Sequence, residues 1–306
     1  MKFCLLFAAL ALAVTSARAA NPPEPTQADV PYGVHPHQLI DIHVPPKGEG
    51  PFPALLWFGG IWKASKHAVD VNRFFPHGIA VIAVEVRTME DATRDKAAEP
   101  ISYVLEDAMS AVKFVVENAE KWKLDPKRIA LGGGSQGALP ALYVGCKAPE
   151  LVTCIAAYRC QPTIDPKRMQ EWVPGVQWGA PALGCSFEES LKRRDELLPV
   201  IKKWSPDWLL HKNATPMYFE NEWGMTKPDD IVETKVDSSG KKTKVRTPLT
   251  QNNYDVHSPA WAVGFQKLAL AAGATCYVKY PGHPTEGYDD IWNFIVKQLT
   301  AKTSKP

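Results

Sequence analysis

The strand-like run Ile129-Ala130-Leu131 leads into Gly133-Gly134-Ser135-Gln136-Gly137, and this feature constrains the fold more than any other. A Gly-x-Ser-x-Gly turn between a buried strand and a helix forms a sharp, strained elbow. Its glycines let the backbones of strand and helix pass closely. The motif predicts that Ser135 stands at the carboxyl end of a buried strand as a nucleophile. The structural alternative is a tight glycine turn in which Ser135 only caps the helix.

Short apolar runs alternate with helical patterns through the first half of the chain. Ala54-Leu55-Leu56-Trp57-Phe58 and Ile79-Ala80-Val81-Ile82-Ala83-Val84 are unbroken apolar runs, which is typical of parallel strands buried on both faces. Between Tyr103 and Ala119 the apolar residues recur at helical spacing. We therefore predict an α/β fold, with a mostly parallel central sheet covered by helices on both faces.

Length and composition suit one α/β domain over residues 20–306, because the 306-residue chain is 45% hydrophobic. Residues 161–210 depart from the alternating pattern, and we interpret them as a cap insertion rich in tryptophan. Its four tryptophans are Trp172, Trp178, Trp204 and Trp208. Residues 224–254 are polar and lysine-rich, which predicts an exposed excursion, with a hairpin as one option.

The first residues combine one lysine, a short apolar run and the sequence Ala17-Arg18-Ala19. This pattern predicts a signal peptide over residues 1–19, and hence an exported, periplasmic or extracellular, mature protein. An uncleaved N-terminal anchor is the alternative. Without Lys2 and Arg18 the basic and acidic residues are equal in number. A formally neutral chain argues against nucleic-acid or membrane partners, and the oligomeric state is left open.

The cysteines that follow the predicted cleavage site form no C-x-x-C pair, so we expect no metal site. Cys160 and Cys185 flank a loop-like stretch and are the first candidates for a disulfide in an exported protein. Cys146, Cys154 and Cys276 fit the role of small buried apolar residues.

Backbone amides that stabilise an oxyanion are expected at two places. Gln136 supplies the first amide after the predicted nucleophile, at the start of the helix. Phe58-Gly59-Gly60-Ile61-Trp62 ends an earlier strand, and its glycines would let the backbone approach a substrate. We predict an oxyanion hole made by Gly60, Ile61 and Gln136, with an ordinary strand-end turn as the alternative.

The predicted general base is His283, in Tyr280-Pro281-Gly282-His283-Pro284. It follows the last predicted strand, and it satisfies the chain order of serine, acid and histidine that a strand–elbow–helix nucleophile requires. A base must approach the serine hydroxyl to within about 3 Å. The rival histidines lie elsewhere in this order: His67, His77, His211 and His257.

A carboxylate should orient the base and stabilise its cation. Glu222 directly follows the strand-like Met217-Tyr218-Phe219, and Asp255 precedes a helix start at Ser258-Pro259. We predict Glu222 as the acid, with Asp255 second and Glu220 or Asp229 behind them. Each of the others would then be a solvated surface charge.

With these residues in place, the chain resembles exported α/β-hydrolases of the esterase/lipase kind, near the acetyl- and feruloyl-esterases that deacylate plant polysaccharides. The resemblance rests on Phe58-Gly59-Gly60-Ile61-Trp62, Val86-Arg87, Glu106-Asp107-Ala108, the Ser135 elbow and Tyr280-Pro281-Gly282-His283. It spans roughly residues 38–300. The usual His-Gly-Gly-Gly-Trp segment lacks its leading histidine and third glycine here, and residues 224–254 replace the usual short acid loop.

The resemblance implies a serine esterase that acts on a small-molecule or glycan ester through an acyl-enzyme, without a metal or an organic cofactor. The tryptophans of the cap would stack on sugar or aromatic acyl groups, or else fill a small satellite core. Two other functions stay open: a peptidase on the same fold, and a carbohydrate-binding protein without catalysis.

Overall fold

The computed structural model describes residues 23–66, 69–176, 180–236 and 242–301. The predicted signal peptide, His67 and Trp178 lie outside these ranges. No helix within them has the length and apolar character needed to cross a membrane. The strands are β1 (Gln27–Pro31), β2 (Leu39–His43), β3 (Phe52–Phe58), β4 (Ala80–Val84), β5 (Leu124–Gly134), β6 (Cys154–Tyr158), β7 (Met217–Glu220), β8 (Asp230–Val236), β9 (Lys242–Pro248) and β10 (Cys276–Lys279). The α-helices are α1 (Met89–Arg94), α2 (Ile101–Glu117), α3 (Ala138–Lys147), α4 (Pro166–Trp172), α5 (Phe187–Lys192), α6 (Arg194–Trp204), α7 (Gln251–Val256), α8 (Ala260–Ala271) and α9 (Ile291–Thr300).

Eight of these strands form one sheet in the order β1-β2-β4-β3-β5-β6-β7-β10. The pairs β1–β2 and β2–β4 are antiparallel, and the remaining pairs are parallel. Every residue of β3 and β4 is buried, as expected for strands covered on both faces.

Alternate residues of β3 face two different helical layers. Leu56 belongs to the larger core, which includes apolar residues of α2, α3 and α8. Leu55 and Trp57 belong to a second core, which contains Phe294 and Ile295 of α9. The predicted α/β architecture, with helices on both faces of a mostly parallel sheet, is confirmed.

The segment 161–210 contains α4, α5 and α6, and its tryptophans Trp172 and Trp204 pack against other helices. The Trp204 ring lies 5.5 Å from Tyr143 of α3, and its Nε1 donates to Glu99 at 2.7 Å. The Trp172 ring meets Trp261 of α8 edge to face at 6.4 Å. These tryptophans fasten the insertion to the main helices, which matches the satellite-core alternative better than exposed stacking surfaces.

The excursion after β7 contains the hairpin of β8 and β9, in which Ile231 pairs with Thr247. A small cluster of Trp223, Leu249 and Tyr254, with Ile231 packed against it, holds the base of the hairpin. The chain then enters α7, whose first turn is capped by the Thr250 side chain. This path returns the backbone to the carboxyl edge of the main sheet.

The cysteines among the described residues are all free, so the expected bridge between Cys160 and Cys185 is not formed. Cys160 is buried in the main core just after β6, whereas Cys185 is only half-buried in the later insertion. Burial raises the pKa of the Cys160 thiol well above its usual value, which keeps it protonated and unreactive.

Candidate active site

The elbow at Ser135 has the strained geometry that its glycines predict. Ser135 adopts φ of 51°, in the left-handed region, directly after β5. A Cβ added at Gly133 would lie 2.0 Å from the Gly137 carbonyl oxygen, and one added at Gly137 would lie 2.5 Å from the carbonyl oxygen of Phe58. The glycines therefore let the start of α3 press against the ends of two strands. Ser135 is left half-buried at the carboxyl edge of the sheet.

The histidine at Ser135 is His257. Its Nε2 lies 2.9 Å from Ser135 Oγ, within hydrogen-bonding distance. His257 follows α7 and precedes α8, so it comes from the segment just after the excursion and not from the end of the last strand. The distance between Ser135 Oγ and His257 Nε2 is the one that a general base needs.

This geometry corrects the expectation that His283 reaches Ser135. His283 closes a tight turn after β10, exchanging backbone hydrogen bonds with Tyr280. Its exposed ring stacks on the Tyr280 ring at 4.9 Å. The reason lies in the excursion, because α7 delivers a histidine to the elbow before the chain enters β10. Of the other rivals, His211 is engaged elsewhere, because its Nε2 lies 3.0 Å from the Cys146 carbonyl oxygen.

Asn253 occupies the position where a carboxylate was expected. His257 Nδ1 lies 3.0 Å from Asn253 Oδ1 and 3.1 Å from the Asn253 carbonyl oxygen. Both are acceptors, so they hold the proton on Nδ1 and leave Nε2 free to accept from the serine hydroxyl. Asn253 and His257 are four residues apart, a spacing at which side chains meet on a helix. That spacing was the sequence signal that could have found this pair.

Neither predicted acid hydrogen-bonds to His257 within the described part of the chain. Asp255 Oδ1 accepts instead from Gln251 at 2.7 Å. Glu222 forms an ion pair with Arg159 at 3.0 Å and accepts from the Tyr158 hydroxyl. Of the weaker candidates, Glu220 accepts from the Ile291 amide at 2.5 Å. The expected carboxylate contact is therefore corrected to an amide contact, although Glu222 still faces the same pocket.

The surroundings of His257 favour its neutral form. Burial lowers the pKa of His257 most strongly, and the nearby charge of Arg159 lowers it further. The hydrogen bond to the Asn253 backbone and the charge of Glu222 act in the opposite direction, but the net effect is a lowered pKa. A neutral imidazole at neutral pH is the form that takes a proton from a serine.

Hydrogen bonds to the backbone fix the segment that carries His257. Asn221 Nδ2 donates to the His257 carbonyl at 2.6 Å, and the Gln161 amide donates to the Val256 carbonyl. Trp261 Nε1 donates to the Asp255 carbonyl at 2.8 Å. Since these donors come from three different elements, the imidazole is held by the sheet edge and by α8 together.

Ser135 and His257 open into a cavity of about 640 Å³. Arg159 and Trp223 also line this cavity. Two residues of the hairpin strand β8, Ile231 and Val232, complete it. No described residue of the 161–210 insertion lines this cavity, so the hairpin, and not the predicted cap, covers the site.

The amides of the predicted oxyanion hole differ in availability. The Gly60 N–H donates to Ser65 Oγ at 2.8 Å, so this predicted donor is engaged within the protein. Ile61 is held by its carbonyl, which accepts from the Met89 amide at 2.8 Å. The Gln136 amide lies in the first turn of the helical segment that begins at Ser135, where N–H groups lack intrahelical partners. The Gln136 amide is therefore the best-placed of the three predicted donors.

One group of potential metal ligands occurs among the described residues, formed by His35, His37 and Asp91. Asp91 is buried and accepts from His37 Nδ1, from the Thr88 backbone and hydroxyl, and from Arg94. These bonds hold the pKa of Asp91 well below its usual range despite burial, which alone would raise it. We interpret this group as a structural network that caps α1, and none of its residues lines the cavity at Ser135.

Fold and site together define a protein of the α/β-hydrolase class with a serine–histidine pair at the elbow. Residues 40–164 match the family model BD-FAE. The chain is 24% identical over 224 residues to Esterase FrsA of Pectobacterium atrosepticum, which covers 70% of this chain and 52% of that protein. It is 26% identical over 117 residues to Esterase FrsA of Yersinia pestis, which covers 38% of this chain and 27% of that protein. The chain thus spans about half or less of these relatives.

Two solved structures share the fold. A truncated carbohydrate esterase from gut microbiota superposes with a TM-score of 0.61 at 17% identity, covering 92% of this chain and all of that one. A butyrate-bound esterase from Thermogutta terrifontis has a TM-score of 0.51 at 17% identity and covers 92% of this chain and 94% of its own. The resemblance to α/β-hydrolases of the esterase kind that the sequence predicts is confirmed.

Proposed function

We propose that this protein is a serine hydrolase of carboxylic esters that uses Ser135 as nucleophile and His257 as general base. The observation that carries the proposal is the 2.9 Å contact between Ser135 Oγ and His257 Nε2, at a serine whose backbone is held in a strained elbow. Strain of this kind persists where the surrounding structure enforces it, and it concentrates at functional sites.

The geometry supports acyl transfer in two stages. Ser135 Oγ attacks the ester carbonyl while His257 Nε2 takes the hydroxyl proton, and the same nitrogen then returns that proton to the departing alcohol. Water attacks the resulting acyl-enzyme with His257 again as the base, releasing the acid and restoring Ser135. The amides of Gln136 and Ile61 are the proposed donors to the oxyanion.

Asn253 gives this site a positioning group without a charge. It fixes the Nδ1 tautomer, but an amide oxygen stabilises the transient imidazolium less than a carboxylate does. Glu222 supplies a negative charge that favours the imidazolium from a greater distance, and Arg159 opposes it. We infer that the balance between these two side chains adjusts the basicity of His257, on which burial has the larger effect.

We further propose a carbohydrate ester, with an acetyl or feruloyl acyl group, as the substrate class, acting outside the cytoplasm after removal of residues 1–19. The carbohydrate esterase among the similar structures supports this choice, as does a cavity that combines aromatic residues with charged ones. A peptidase would use the same serine–histidine pair, and a comparison of ester with amide substrates separates the two. A non-catalytic binding protein would have no use for a base in contact with Ser135.

The test is covalent labelling with a fluorophosphonate, read as intact mass. Wild-type protein should gain one adduct, because an activated serine attacks phosphorus, and Ser135→Ala should gain none. Failure of folded wild-type protein to form an adduct would rule out the proposed function and favour the binding protein.

A further inference from the structure

Ser135 and Arg159 are neighbours at the carboxyl edge of the sheet. Gly134 of β5 pairs with Tyr158 of β6, so the residues that follow these two stand side by side. Both have left-handed backbones, with φ of 51° at Ser135 and 46° at Arg159. A bulky residue in this region is unusual, and Arg159 also lines the cavity at Ser135.

The side chain of Arg159 is held in place by its surroundings. Its guanidinium lies 4.9 Å from the Trp223 ring centroid and 5.2 Å from that of Tyr158. Its Nη1 pairs with Glu222 Oε1 at 3.0 Å, and the other Glu222 oxygen accepts from the Tyr158 hydroxyl. The pair is thereby fixed against the aromatic rings that line the cavity.

Both members of the pair are still accessible to a ligand. The side chains of Arg159 and Glu222 are 30% and 43% exposed. A guanidinium has five N–H donors, and the described residues give this one a single ion-pair partner. Glu222 likewise keeps lone pairs beyond its two contacts. The cavity therefore offers fixed donors and fixed acceptors beside Ser135.

We propose that Arg159 and Glu222 form a subsite for a neutral polyhydroxylated alcohol group of the ester, with Arg159 donating to and Glu222 accepting from adjacent sugar hydroxyls. This deepens, and rests on, the proposed ester hydrolysis at Ser135. Charge decides against an anionic sugar, because Glu222 neutralises Arg159 and would itself repel a carboxylate. Trp223 already contacts the Arg159 guanidinium and stacks on the Tyr254 ring, so the polar pair is assigned the contact with the sugar.

The experiment compares three acetyl esters: p-nitrophenyl acetate, a monoacetylated methyl xyloside, and the corresponding methyl glucuronoside with a free carboxylate. Rates are measured at about pH 8, above the ordinary pKa of histidine, so that changes in the charge of His257 contribute little to the comparison. The wild type should prefer the neutral sugar ester to the anionic one. In Arg159→Gln and in Glu222→Gln, kcat/KM for the neutral sugar ester relative to that for p-nitrophenyl acetate should fall about tenfold, mainly through KM.

Arg193→Gln is the control, because Arg193 forms a comparable ion pair with Glu189 on the surface, outside the cavity. It should keep the wild-type ratio. An unchanged ratio in the Arg159 and Glu222 variants would overturn the subsite, and so would a wild-type preference for the glucuronoside. If wild-type protein hydrolysed none of the three esters, including p-nitrophenyl acetate, the proposed function itself would fail.

Discussion

The two sides of the active site are built in different ways. The Ser135 side is a local turn between β5 and α3, in which Gly133 and Gly137 meet backbone atoms too closely for any side chain. The His257 side depends on a hairpin and a short helix that return from outside the sheet, anchored by Asn221 and other long-range contacts. A local motif enforces the first side, whereas tertiary packing assembles the second.

The largest effect is expected from a substitution in the elbow, which tests whether the local turn alone positions Ser135. Gly133→Ala should reduce kcat/KM by about a hundredfold or more, because its Cβ would lie 2.0 Å from the Gly137 carbonyl oxygen and displace Ser135. Gly134→Ala is the matched control, since a Cβ there meets no atom within 4 Å. Fluorophosphonate labelling rates and Tm of the two variants provide the measurement. Equal labelling of both would show that the elbow is not as tightly packed as described.

Substitutions of Asn253 test the His257 side of the active site, which tertiary packing assembles. Asn253→Ala should lower kcat/KM by about tenfold, because Nδ1 keeps only the backbone acceptor. Asn253→Asp should raise the pKa of His257, moving the acidic limb of the kcat/KM profile to higher pH. The control is Asp255→Asn, which removes a carboxylate that bonds only to Gln251 in the described contacts. If Asp255→Asn lost more activity than Asn253→Ala, the assignment of Asn253 would be wrong.

The smallest expected effects are shifts in pH dependence. In the wild type, activity should be lost as pH falls through a midpoint below the ordinary pKa of histidine, because burial and Arg159 lower the pKa of His257. Arg159→Gln should move this midpoint up, and Glu222→Gln should move it down, since the two charges act with opposite sign. Shifts of the same sign in both variants would contradict the electrostatic account of the site.

The sequence was informative where structure is local. Unbroken apolar runs predicted β3 and β4, because strands buried on both faces need apolar residues at every position. The glycine motif predicted the position of Ser135, because the tight turn requires glycines. The choice of His283 failed because chain order assumes a short connection after β7, whereas this chain inserts β8, β9 and α7 there. Asn253 was not predicted because a carboxylate was expected there, whereas an amide oxygen can accept the same hydrogen bond from His257 Nδ1.

The predicted cap, residues 161–210, shows the same limit of prediction from sequence. Four tryptophans in residues 161–210 suggested a cover for the site, but whether an aromatic ring fills a core or faces a ligand depends on what packs against it. Trp172 packs against Trp261, and Trp204 packs against Tyr143. The polar hairpin, and not these tryptophans, forms part of the cavity. No periodicity in either segment carries that information.

The most direct test of the account is to compare His257→Ala with His283→Ala, using kcat/KM on p-nitrophenyl acetate and the rate of fluorophosphonate labelling. The contact between His257 Nε2 and Ser135 Oγ predicts a loss of at least about a hundredfold for His257→Ala. His283→Ala should stay near wild type, because its exposed ring stacks on Tyr280 alone among the described ring contacts. The reverse result, with activity lost in His283→Ala and kept in His257→Ala, would contradict the site described here.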